Sequence, residues 1–129
     1  MSTAIVLLGH GSRAPEATQA MERVARMYAE QHPGCPVHVA HMELCQPDVP
    51  STLAACVAAG AREILVVPYF LHLGNHLRED IPGILRVAAT AHPGVVIRCG
   101  PPFGFDPVLV DLVAKRVGDA AAAAPVAGA

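Results

Sequence analysis

Four short β-like runs, separated by amphipathic stretches of helical period, limit what this chain can fold into. The runs are Ala4–Leu8, Val37–Glu43, Glu63–Val67 and Gly94–Arg98. Each is short for a helix, and the third is rich in β-branched residues and stops at Pro68. After the first run, Ala17, Ala20, Met21, Val24 and Tyr28 recur every three or four residues. That spacing predicts a helix over Pro15–Gln31, closed by Pro33-Gly34. Val49, Leu53, Cys56 and Val57 predict a second helix over Pro47–Ala59, with Pro50 in the first turn, where a missing N–H does little harm. A third is expected over Ile81–Ala91, capped by Asp80 with Pro82 in its first turn, and a fourth from Asp106-Pro107 to about Val117. The order β-α-β-α-β-α-β-α calls for a parallel sheet with helices on both faces. Right-handed crossovers narrow this to an α/β fold with a flavodoxin-like four-stranded sheet.

The chain of 129 residues is one domain's worth. Residues 1–119 are expected to form that domain, and 120–129 a low-complexity, alanine-rich tail that frays. A formal net charge of -2 offers no electrostatic footprint for nucleic acid. No apolar stretch reaches the ~18 residues that a membrane span needs. The N-terminus lacks the basic segment and cleavage site of a signal peptide, so a cytoplasmic protein is expected. Cys35, Cys45, Cys56 and Cys99 contain no C-x-x-C pair and are expected to be small thiols rather than zinc ligands or disulfides. Neither a P-loop nor a G-x-S-x-G elbow is present, and Lys115 is the sole lysine, which argues against ATP-driven chemistry.

Open parallel sheets bind ligands beyond the carboxyl ends of their strands. His10 follows the first run, Glu43 ends the second, and His72 and His76 follow the third. Two imidazoles and a carboxylate on one sheet edge suit a divalent transition metal, and would serve equally as acid and base near neutral pH. The remaining histidines have plainer readings. His32 and His92 precede Pro-Gly at helix ends, where an imidazole favours the C-terminal dipole. His38 and His41 differ in parity and face opposite sides of their strand; His41 shares the parity of Glu43 and is expected to be packed or at an edge, or else to support the site from behind. A phosphoryl-accepting His10 would want an arginine just before it, and Gly9 occupies that place.

Three segments together resemble a known family: "LLGHGSR" at the first strand end, Glu43 at the second, and "GNHLREDIP" after the third. They are similar to the class II chelatases of tetrapyrrole biosynthesis, in particular the short sirohydrochlorin cobaltochelatases and ferrochelatases. The resemblance runs from about Ile5 to Val117. It implies ATP-independent insertion of Co²⁺ or Fe²⁺, with Ni²⁺ known within the family, into sirohydrochlorin, an octacarboxylated tetrapyrrole of cobalamin and siroheme biosynthesis. The metal is a substrate, and no organic cofactor is implied. Carried over by position, the two metal-binding histidines fall on His10 and His76 and the carboxylate partner on Glu43, while His72 matches no family histidine and is expected to line the pocket. Ser12, Arg13 and Arg78 are the candidate contacts for the substrate's acetates and propionates, helped by the amides after Gly11. Longer family members carry two such domains, so a homodimer is implied. A non-catalytic carrier of metal or tetrapyrrole would present the same residues.

Overall fold

In a computed structural model, residues 2–127 are described. They form β1 (Thr3–Gly9), α1 (Pro15–Gln31), β2 (Val37–His41), α2 (Val49–Ala58), β3 (Glu63–Pro68), α3 (Asn75–Ala91), β4 (Val96–Cys99) and α4 (Val108–Ala122). The strands are all parallel and lie in the order β2-β1-β3-β4, which is the flavodoxin-like arrangement. Each strand alternates between two faces. Ala4, Val6, Leu8, Ala40, Ile64 and Val66 turn to one face and pack with Leu53 of α2 and with Ile81 and Leu85 of α3. Leu7 turns to the other and meets Met21 and Ala25 of α1. Burial of a single side chain such as Leu8, Leu53 or Ile64 contributes about 1.5–3 kcal/mol, so this core dominates the stability.

The register makes the carboxyl edge level. Gly9 pairs with His41 on one side, and Leu8 pairs with Pro68 on the other. Whatever follows these residues therefore starts from neighbouring points on one edge.

The chief departures from the sequence expectation lie in β2, α3 and α4. β2 stops at His41, not Glu43, because Met42 and Glu43 turn into a loop containing Leu44 at φ 73. α3 begins at Asn75, six residues before Ile81, and runs through Pro82. Leu77 lies one turn before Ile81 and packs partly against the core, which extends the apolar stripe far enough to carry the proline inside the helix. Asp80 is consequently an internal residue of α3, and Gly74 is the N-cap. α4 continues to Ala122, three residues into the alanine-rich run, whose high helix propensity supports the extension. None of its residues is buried, and Val110, Val113 and Val117 form an apolar stripe more than half exposed. The two faces of the sheet are thus covered by α1 on one side and by α2 and α3 on the other, while α4 stands off.

Candidate metal centre

The turn after β1 is built by its two glycines. Gly11 has φ +103, and a Cβ on it would stand 1.7 Å from the carbonyl oxygen of Glu43. Only glycine lets the β1 and β2 loops approach this closely. The approach is stitched by backbone bonds: the Met42 N–H donates to the Gly9 carbonyl (2.9 Å) and the Glu43 N–H to the His10 carbonyl (3.1 Å). The ladder between β1 and β2 therefore continues past both strands and holds His10 against Glu43.

His10 Nδ1 lies 3.5 Å from Glu43 Oε1, an ion-pair distance rather than a hydrogen bond. Both side chains are more than half exposed, so the pair adds little to stability. Its consequence is orientation. Glu43 stands on the Nδ1 side of the ring, so Nε2 is the ring nitrogen left open to another partner.

His10, Glu43 and His76 line one open cleft of about 600 Å³. Its floor is Met42, Leu77 and Ile84, and α3 adds Glu79 and Asp80 to the wall. Helical geometry explains these last two, since positions three and four after His76 share its face. They follow from the early start of α3, which the sequence reading missed; Leu77 at helical spacing before Ile81 was the available signal. Among the described residues, no three His, Cys, Asp or Glu side chains stand together closely enough to hold an ion as they are placed. The arrangement is a His10–Glu43 pair with His76 facing the same space from the exposed first turn of α3.

The other candidates are spread around this cleft. His72, Arg13 and Arg78 are exposed, do not line it, and make no ion pair among the described residues. Arg13 and Arg78 thus stand free on the surface rather than clamped in place. Ser12 is half-buried on the α1 side, where its Oγ accepts the Ala14 N–H at 3.0 Å. His41 is buried, also on the α1 side, beside Gly9 and Met21. Its shared parity with Glu43 does not bring the two together. The chain leaves the extended strand after His41, and Glu43 lines the cleft beside α3, while His41 keeps the strand's alternation and turns toward α1. All four cysteines are free thiols, and burial pushes the Cys56 thiol pKa up. No described helix is long and apolar enough to cross a membrane.

Fold and cleft together define a flavodoxin-like α/β domain with imidazole and carboxylate groups gathered at its carboxyl edge. The chain belongs to the CbiX family, whose profile matches residues 4–120. It is 34% identical over 113 residues to a chloroplastic sirohydrochlorin ferrochelatase of Arabidopsis thaliana, covering 88% of this chain and 50% of that protein. It is 33% identical over 120 residues to a sirohydrochlorin cobaltochelatase of Methanococcoides burtonii, covering 87% of this chain and 92% of the relative. Among solved structures it resembles the sirohydrochlorin chelatase SirB of Bacillus subtilis subspecies spizizenii in complex with cobalt. That likeness has a TM-score of 0.83 and 35% identity, and covers 92% of this chain and 51% of the other. The chain therefore spans about half the length of the Arabidopsis and Bacillus proteins and nearly all of the Methanococcoides one.

Proposed function

We propose that this protein is a sirohydrochlorin chelatase that inserts Co²⁺ or Fe²⁺ into the macrocycle without ATP. The observation that carries the reading is the His10–Glu43 pair facing His76 across one cleft, in a chain of the CbiX family. Relatives named as cobaltochelatase and as ferrochelatase leave both metals as substrates.

The chemistry fits a site that is not pre-closed. Insertion needs a cation that is held and then given up. Thiolates grip transition metals tightly, whereas two imidazoles and a carboxylate hold them more loosely. His10 supplies Nε2, oriented through Nδ1 by Glu43; His76, exposed on the first turn of α3, reaches the same ion by a rotamer change on the ps–ns scale. As the metal enters, the macrocycle loses two pyrrole protons, and the carboxylates of Glu43, Glu79 and Asp80 around the cleft are acceptors within it. Met42, Leu77 and Ile84 offer the ring an apolar floor.

A homodimer completes this reading. The apolar stripe of α4 with exposed Phe105 is a surface that a second copy covers, and two copies match the length of relatives twice as long. Four unpaired thiols suit the reducing cytoplasm.

Steady-state metallation tests the function. Sirohydrochlorin and Co²⁺ in large excess over protein are followed by the absorbance of the metallated product. Many turnovers per protein support a chelatase. A single stoichiometric burst would instead mean a carrier of metal or tetrapyrrole.

A further inference from the structure

α3 carries two neighbouring residues that a helix interior disfavours, Pro82 and Gly83. Burial of Ile81 and Leu85 on either side explains how the helix tolerates them. It does not explain why residue 83 is glycine. The other glycines around the cleft have local reasons. Gly11 has φ +103 and meets the Glu43 carbonyl, Gly9 makes room for Met21, and Gly74 is the N-cap of α3. Gly83 lies inside the helix without a positive φ, and a Cβ on it would meet no described atom within 4 Å. Nor does it ease the proline. A proline ring crowds the residue before it and the carbonyl four residues before it, which places that strain at Ile81 and Arg78. Glycine at 83 therefore weakens the helix relative to alanine, and the folded chain makes no contact that needs it.

The space that Gly83 leaves open belongs to the cleft, whose wall it forms with His76, Glu79 and Asp80. His76, Asp80, Gly83 and Val87 succeed one another three or four residues apart, so they make one line along α3. Val87, at the far end of that line, is an apolar side chain 72% exposed. Ile84, next to Gly83, belongs to the apolar floor and packs partly against the core. Bare helix backbone thus stands between an imidazole at one end and an exposed valine at the other, beside an apolar floor. A glycine is what lets a ligand approach backbone this closely.

We propose that Gly83 is a substrate-contact position: the macrocycle closes against the bare backbone of α3 there. This contact rests on the tetrapyrrole reading given above and adds to it a residue that has no side chain of its own. Gly83 lies two turns after His76 on the same face, so the depth to which the ring settles at Gly83 sets how near its centre comes to that imidazole. The helix gives up stability at this position in exchange for the approach.

The test sets stability against binding in the same variants. Wild type, Gly83→Ala, Gly83→Leu and Ala89→Leu are unfolded in urea, and the metal-free proteins are titrated with an octacarboxylate porphyrin by fluorescence quenching. Co²⁺ affinity is measured in parallel by calorimetry. Ala89→Leu adds bulk to an exposed position of α3 that does not line the cleft. Gly83→Ala should raise the urea midpoint and yet weaken porphyrin binding about threefold or more. Gly83→Leu should weaken it about tenfold or more, as expected when bulk is forced into a packed contact. Ala89→Leu should bind porphyrin as wild type does, and Co²⁺ affinity should stay within twofold of wild type throughout. If wild type binds the porphyrin and Gly83→Leu binds it as tightly, the contact is wrong and the chelatase reading stands. The same holds if porphyrin and Co²⁺ binding fall together, which would mean that His76 was displaced, or if Gly83→Ala lowers the urea midpoint, which would mean that the fold itself needs the glycine. If wild type binds no porphyrin, the tetrapyrrole reading falls and the contact with it. Should Gly83→Leu fail to fold, Gly83→Ala, whose methyl enters open space, decides the matter by the same comparison.

Discussion

Replacing Gly11 by alanine strikes the point where the site is assembled. The new Cβ would stand 1.7 Å from the Glu43 carbonyl oxygen, more than an ångström short of any real contact, and the obstacle is backbone. Two effects add. Holding a non-glycine residue at φ +103 costs about 1–2 kcal/mol. Relieving the clash forces the two loops apart and breaks the Glu43 N–H to His10 carbonyl bond, worth about 1 kcal/mol net with some further loss of packing. The expected destabilisation is about 2–4 kcal/mol. Gly60 provides the control, for its φ is +102 and nothing lies within 4 Å of its would-be Cβ. Gly60→Ala carries the conformational cost alone, about 1–2 kcal/mol. Urea unfolding followed by circular dichroism gives both values, and calorimetry gives the Co²⁺ affinities. Gly11→Ala should be the less stable variant and should bind Co²⁺ more weakly, since Glu43 is displaced from His10. Equal destabilisation of the two variants, with unchanged Co²⁺ binding by Gly11→Ala, would refute the close-approach argument.

Further outcomes are expected elsewhere in the molecule. Asp48 caps α2 by accepting the Ser51 N–H at 2.9 Å, and its bonds from Ser51 hold its carboxyl pKa below the ordinary aspartate value. A folded-state pKa below the unfolded one gives stability that is present above the unfolded pKa and lost as pH falls through the folded one. Asp48→Ala should therefore lower the melting temperature near neutral pH, and the gap to wild type should narrow as pH falls below the ordinary aspartate range. Burial pushes the Cys56 thiol pKa up, so Cys56 should be slow to react with a thiolate-selective disulfide reagent at pH 8 and should become accessible on unfolding; mass spectrometry of the labelled peptides reads this directly. Val113→Asp places a charge in the exposed α4 stripe. Sedimentation should show wild type as a dimer and this variant shifted to monomer with its circular dichroism retained, whereas a monomeric wild type would remove the role given to α4.

The parts of this site that the sequence revealed are those fixed by strand ends. His10 and Glu43 were legible because parallel strands with level carboxyl ends deliver whatever follows them to one edge. What depended on loop conformation was not. The chain leaves the strand's alternation after His41, so Glu43 lines the cleft beside α3 while His41 faces α1, and residue parity cannot anticipate it. Pro82 disguised the start of α3, because a proline near the head of an apolar stripe reads as a first-turn residue; burial of Ile81 and Leu85 holds the proline inside a longer helix instead. That displacement put His76 on a helix rather than in a loop and brought Glu79 and Asp80 onto the cleft. The fourth helix was legible from its Asp106-Pro107 start.

The central claim is that His10 and His76, rather than the neighbouring His72, carry metal insertion. The initial rate of Co²⁺ insertion into sirohydrochlorin, measured at equal folded concentrations of His10→Ala, His76→Ala and His72→Ala, tests it most directly. His10 and His76 line the cleft, and His72 does not. The account predicts that the first two variants lose most of the activity, on the order of a hundredfold or more, as expected when an imidazole that binds or orients the metal is removed, while His72→Ala stays within a few-fold of wild type. A dead His72→Ala beside an active His76→Ala would contradict it.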